Sequence, residues 1–261
     1  MLTLTLILTQ FIFRLSFGVA VAMRMTSYKS VTSEFYRVHL WLLMGLNSFA
    51  VLAVNSADSA QYPNQRWVFA LAIVAAVISY VGSVIWLYEK QRAGNVALFL
   101  VSLACLLAAA LATPMAGENS ASNLSMLLLD LMTGGLLLGV TLSAMLLGHW
   151  YLSTPTMQLV PLKRLVLMMA GAIIARAIVC AIGLAIYCSS KGAVATNVWA
   201  FLALRWLAGL IGALALARLT WLTLKIPNTQ SATGILYAAL ILVFIGELVS
   251  KLLSVELLYP L

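Results

Sequence analysis

The sequence predicts an all-α integral membrane protein, a bundle of about eight transmembrane helices forming one domain over residues 1–261, and three observations lead to it. Hydrophobic residues make up 64% of the chain and charged residues 8%, whereas soluble domains carry roughly 25% charged residues. A water-facing surface cannot be assembled from so few charges. The apolar residues fall into eight runs, each near the roughly 20 residues that cross a hydrocarbon layer of about 30 Å at 1.5 Å per residue. These runs are continuous rather than alternating, which argues against the closed β-barrel, the other structure that satisfies every backbone group in lipid.

The spans are expected at about 1–23, 38–56, 67–88, 94–113, 125–148, 164–187, 197–221 and 232–258. The first apolar run continues too far, and lacks the flanks, for a cleaved signal peptide, so it reads as a permanent span. A polar stretch from Arg24 to Arg37 separates spans 1 and 2, and Asp58, Pro63 and Asn64 mark the turn before span 3. Glu89, Lys90, Gln91 and Arg92 make a tight loop, while Pro114 and the polar residues from Gly117 to Ser120 end span 4. Pro155 and Pro161 discourage a helix in the link from His149 to Pro161, which is expected to lie along the membrane surface. Ser189 to Gly192 form a turn, Lys225 to Asn228 break span 7, and Pro260 follows span 8.

A net charge of +8 would suggest nucleic acid in a soluble protein, but here the basic residues lie mostly in short connections. They report topology. The odd-numbered connections carry Arg24, Lys29, Arg37, Lys90, Arg92, Lys163, Arg164, Arg218 and Lys225, and the even-numbered ones carry Arg66 and Lys191. Basic residues are retained on the cytoplasmic side, which places both termini on the outer, periplasmic side of an inner (plasma) membrane.

Six charges remain inside the apolar runs: Arg14, Asp130, Arg176, Arg205, Glu247 and Lys251. A charge at a helix centre costs about 2.5–3.5 kcal/mol on insertion scales, so such groups face a protein interior and find partners. Glu247 and Lys251 are four residues apart, on one helical face with the acid first, the favourable order. With Asp130, Arg176 and Arg205 they are expected to converge in the outer half of a bundle of spans 5 to 8. There they form either a structural network or a site that binds a polar headgroup or handles protons. Arg14, one turn after Gln10 and toward the inner half, is expected to have a different partner.

His39 and His149 both sit at the cytoplasmic ends of spans. Imidazole there suits axial ligation of haem b, contact with an interfacial quinone, or plain interface chemistry beside Trp41, Trp150 and Tyr151. Gly134, Gly135 and Gly139, Gly171 with Ala175, and Gly209 with Gly212 offer close helix approach. Cys105, Cys180 and Cys188 have no CxxC spacing and read as buried thiols. Phosphate loops, HExxH, GxSxG and cysteine clusters are absent from the sequence, which argues against a self-contained hydrolase or nucleotide-driven pump.

Span 8 reads Ile241-Leu-Val-Phe-Ile-Gly246-Glu247-Leu-Val-Ser-Lys251. It resembles the last helix of the membrane-anchor subunits of dimethyl sulfoxide reductases, of the broader polysulfide reductase anchor type. Met132-Thr-Gly134-Gly135-Leu-Leu-Leu-Gly139 and Trp199-Ala-Phe-Leu-Ala-Leu-Arg205 are also similar to that family, as are the eight spans. The resemblance implies a bundle that binds menaquinone or ubiquinone and passes electrons to or from an iron-sulfur partner subunit. It also implies that Glu247, Lys251 and Arg205 bond a quinone carbonyl or accept quinol protons. The expected function is therefore a quinone-interacting subunit of a respiratory or redox complex, not catalytic alone. The alternatives are a solute or proton transporter, a structural membrane subunit and, less favoured, a haem b cytochrome using His39 and His149. A reporter active only in the cytoplasm, fused after Leu261, is expected to be silent; activity there reverses the orientation.

Overall fold

The computed structural model describes residues 4–57, 62, 64–113, 121–154, 157–191, 196–226 and 228–257. These residues form α1 (Leu4–Met25), α2 (Ser33–Asn55), α3 (Gln65–Leu87), α4 (Gln91–Leu111), α5 (Ala121–Ser153), α6 (Val160–Lys191) and α8 (Thr229–Leu257). Between the last two lies α7, built of Thr196–Leu204, a π-helical stretch Arg205–Gly212 and Ala213–Lys225. All eight helices are long and apolar enough to cross a membrane, so the chain has the make-up of a multi-pass membrane protein. The arrangement follows from solvent: in lipid each backbone N–H and C=O must find a partner within its own segment.

Helices α1 to α4 pack around one another in a ring, α5 to α8 do the same, and the two rings join chiefly along α1 and α5. Burial agrees: 83% of the apolar window of α1 and 72% of that of α5 is covered by protein, against 33–50% for the other helices. The outer helices turn residues such as Trp67, Val77, Leu107, Ile178 and Leu207 outward, where lipid is their solvent. The α1–α5 seam is possible because glycines face each other. A Cβ on Gly18 would lie 1.8 Å from the Gly135 carbonyl oxygen, and one on Gly139 would lie 1.9 Å from the Gly18 carbonyl carbon. Gly209 and Gly246 bring α7 and α8 together in the same way.

Connections are fastened by polar contacts. Tyr62 is buried beside α1, its hydroxyl 2.8 Å from Thr9 Oγ1. Burial pushes its phenol above the usual range, and the Thr9 bond offsets part of that. Gln10 Nε2 donates to the Ala112 carbonyl at 3.0 Å, tying α1 to the end of α4. The α3–α4 turn is closed by Glu89 in the left-handed region (φ 55). Glu89 N donates to Trp86 O and Lys90 N to Ile85 O, a Schellman pattern made without its usual glycine.

Several sequence expectations are corrected. The link expected from His149 to Pro161 is shorter than that: α5 runs on to Ser153 and α6 starts at Val160. Pro161 fits the first turn of α6 because an N–H there needs no helical partner, and the Tyr151 hydroxyl donates to the Gln158 carbonyl across the short turn. Span 2 begins at Ser33, so Glu34 and Arg37 belong to its first turns, and α6 continues through the expected turn at Ser189. Gly171 and Ala175 face outward, with nothing within 4 Å of a Cβ on Gly171, so they make no helix seam. Cys105 and Cys180 are buried, but Cys188 is exposed. Pro114, Gly117 to Ser120, Gly192 and Pro260 lie outside the described residues.

Replacing Gly139 by Val is expected to lower the melting temperature of the detergent-solubilised protein, since overpacking a tight seam costs about 1–3 kcal/mol or more. Gly171→Val is the matched control and is expected to melt like the parent. Equal melting of the two variants would show that the α1–α5 seam is not tight.

Candidate functional site: a buried ion network

Five helices each send charge to one place. Arg14 comes from α1, Asp130 from α5, Arg176 from α6, Arg205 from the start of the π stretch, and Glu247 and Lys251 from α8. Each lies within an apolar run, where lipid forbids it to face outward alone. All six are buried, from 0% exposure for Arg176 and Arg205 to 6% for Asp130 and Lys251.

Arg176 is the hub. Its Nε and Nη2 donate to Glu247 Oε1 and Oε2, both at 3.0 Å, the two-pronged geometry that a planar guanidinium offers a carboxylate. Its Nη1 turns the other way and donates to Asp130 Oδ1 at 2.6 Å. Ser250 Oγ accepts from Nη2 at 3.3 Å. Asp130 then collects two more cations: Arg14 Nη2 donates to Oδ2 at 2.5 Å and Lys251 Nζ to the same oxygen at 3.1 Å. Glu247 Oε1 also accepts from Arg205 Nη2 at 2.8 Å. The chain of contacts thus runs from Arg205 through Glu247, Arg176 and Asp130 to Arg14 and Lys251.

The two ends are unlike. At the Asp130 end the carboxylate meets three cations and its carbonyl accepts from Arg14 Nη1 at 3.3 Å and Arg176 Nη1 at 3.4 Å. At the other end Arg205 uses only Nη2, on Glu247 and, at 3.5 Å, on Cys180 Sγ. Its Nε and Nη1 are buried with no acceptor among the described residues. The Nη1 edge lies against glycine: it is 3.1 Å from where a Cβ would stand on either Gly209 or Gly246.

The structure therefore brings together the five residues singled out from spans 5 to 8. It corrects the expectation for Arg14, which has no separate partner but joins the network through Asp130. The reason is reach: Arg14 is the eleventh residue of α1 as counted from Leu4, near mid-helix, and the glycine seam brings α1 against α5. Cys180, Ser250 and Gly134 were missed as parts of the site. Only Gly134 carried a signal, as a small residue, and its absent side chain leaves the room that Glu247 and Arg14 fill. The π stretch had no sequence signature.

His39 and His149 stand apart from the network and from each other's partners. His39 is buried, its Nδ1 2.5 Å from the Phe35 carbonyl and its ring 4.0 Å from that of Phe35 and 6.4 Å from that of Trp150. Its surroundings are an aromatic cluster in which Tyr36 stacks on Trp86 at 4.1 Å. His149 is exposed and has its Nδ1 3.5 Å from the Tyr237 hydroxyl. Two surface clefts, about 330 and 270 Å³, are lined by residues that include Leu222, Ile226 and Ser231 in one and Val54, Gln65 and Phe69 in the other, and neither includes a network residue. Among the described residues no group of three or more His, Cys, Asp or Glu side chains is placed to hold a metal ion.

Replacing Asp130 by Asn leaves Arg14 and Lys251 without a carboxylate, and stripping one partner from buried charges costs about 3–5 kcal/mol. The variant is expected to accumulate poorly and melt low in detergent, with part of the loss recovered when Lys251→Met is added. No recovery in the double variant would mean that the two groups do not interact. In comparisons with known protein families, with curated proteins and with solved structures, nothing matches this chain.

Proposed function

We propose that this chain is a quinone- or quinol-interacting subunit of a multi-subunit redox complex. In this reading it lies in the inner (plasma) membrane with both termini outside, and it exchanges electrons with an iron-sulfur partner subunit. One observation carries the reading: Arg205 is fully buried inside an ion network yet keeps two donor groups free. A buried donor without an acceptor costs about 1–3 kcal/mol, more when charged. A structure that retains one beside a carboxylate has the parts for a polar ligand: an N–H for a ring oxygen and a base for its proton. Quinol oxidation needs that pair, since two protons leave with two electrons. Glu247 and Arg205 touch through Nη2, which puts a carboxylate and a guanidinium with free donors side by side, as this chemistry requires.

The α7–α8 crossing is made by Gly209 and Gly246, which abut the Arg205 Nη1 edge, and Leu207, Ile211 and Ile245 are exposed on the same two helices. The helices touch there, so a ring reaches Arg205 by a shift of α7 against α8. The π-helical stretch is the segment suited to that shift, because its wider turns recur in helices at functional sites. Likeness of spans 5, 7 and 8 to quinol-binding anchor subunits agrees with this assignment.

The test is Glu247→Gln in native membranes, with quinol oxidation and the amount of assembled protein measured together. A loss of proton transfer by a positioned group is expected to lower turnover per assembled molecule about 10²-fold or more, and because the change also takes the carboxylate from Arg205, less assembled protein is expected alongside it. Unchanged turnover in a fully assembled variant would remove Glu247 from the quinone site.

A further inference from the structure

The charges of the network do not balance. Four cations, Arg14, Arg176, Arg205 and Lys251, share two carboxylates, Asp130 and Glu247. Even with Lys251 neutral, three guanidiniums, which do not deprotonate in proteins, outnumber two acids. In a low-dielectric interior a surplus charge is far more expensive than an unmet hydrogen bond. A neutral ring carbonyl would satisfy the Arg205 donors and leave that surplus standing. An oxyanion meets both demands at once.

We infer that the site at Arg205 holds its ligand as an oxyanion, so that a quinol is bound there as its ring-hydroxyl monoanion. This rests on the quinone reading above. The step is an ionisation: the quinol O–H bond breaks, its electron pair stays on the ring oxygen facing Arg205 Nε and Nη1, and the proton is relayed by Glu247 to bulk water, which leaves Glu247 ionised and adds one negative charge to the site. No electron is transferred in it. The position agrees with the contacts, because Arg205 is the cation least engaged by the protein, whereas Arg176 spends all three of its nitrogens on carboxylates. A lipid phosphate offers the same anionic oxygen, so the experiment separates the two sources.

Two probes of nearly equal shape decide the matter in purified, detergent-solubilised protein: 2-hydroxy-1,4-naphthoquinone, which is ionised at neutral pH, and its 2-methoxy ether, which cannot ionise. Equilibrium dialysis is expected to show the ionised probe binding at least about tenfold more tightly, a difference of about 1.4 kcal/mol. Arg205→Gln is expected to erase the preference and Arg205→Lys to retain part of it. Equal affinities of the two probes for the unaltered protein would overturn the anion inference and leave the quinone reading standing. Binding of neither probe, by protein that melts normally, would overturn the quinone reading itself. Displacement of the ionised probe by phosphatidylglycerol but not by menaquinone or ubiquinone would assign the anion to a lipid headgroup and overturn the proposal.

Discussion

Arg176 bonds two carboxylates that come from different helices, and the interior of the second ring is organised around that fact. A guanidinium in lipid has no water to fall back on, so it must be met on each edge by the protein. Glu247 takes one edge through two bonds and Asp130 takes another. Because Asp130 is on α5 and Glu247 on α8, satisfying Arg176 fixes α6 between them. Arg14 and Arg205 extend the same requirement to α1 and α7. Burial of a salt bridge is weak evidence for stability, since desolvation offsets much of the attraction. Its effect here is on register, because sliding one helix by a turn would strand a charge.

Close approach is the second condition, and glycine supplies it. Side chains of the network are long, but their carboxylate partners are short, and they meet only because Gly18, Gly135 and Gly139 let α1 and α5 touch backbone to backbone. Gly134 then leaves space above Glu247 and Arg14 that any side chain would occupy. On the far side Gly209 and Gly246 bring α7 against α8, and the π stretch beginning at Arg205 sets where that arginine stands. Packing and charge are therefore one problem in this bundle. In lipid the association of helices draws on such contacts rather than on exclusion of water.

The two ends of the network also differ. At its Asp130 end three cations share one carboxylate, and one donor, Arg14 Nε, is left without an acceptor among the described residues. At its Arg205 end two donors are left without an acceptor among the described residues, beside the Gly209–Gly246 crossing. The aromatic cluster of Phe35, Tyr36, His39, Trp86 and Trp150 belongs to packing between α2, α3 and α5.

Hydropathy by itself determined the class, the number of spans and the six charges that had to find company, because the energies of placing Leu or Arg in lipid depend on residue type and depth alone. It also revealed that Glu247 and Lys251 share a face, a matter of helical period. Helix ends were less legible: α5 passes His149 to reach Ser153, and α6 takes Pro161 into its first turn, where the missing N–H has no helical partner to lose. Only the tertiary structure decided that Arg14 joins the others, that Cys180 and Ser250 lie beside them, and that Arg205 is left with free donors. Those outcomes depend on helix rotation and on which glycines face one another, and no property of a single span encodes the azimuth of its neighbours.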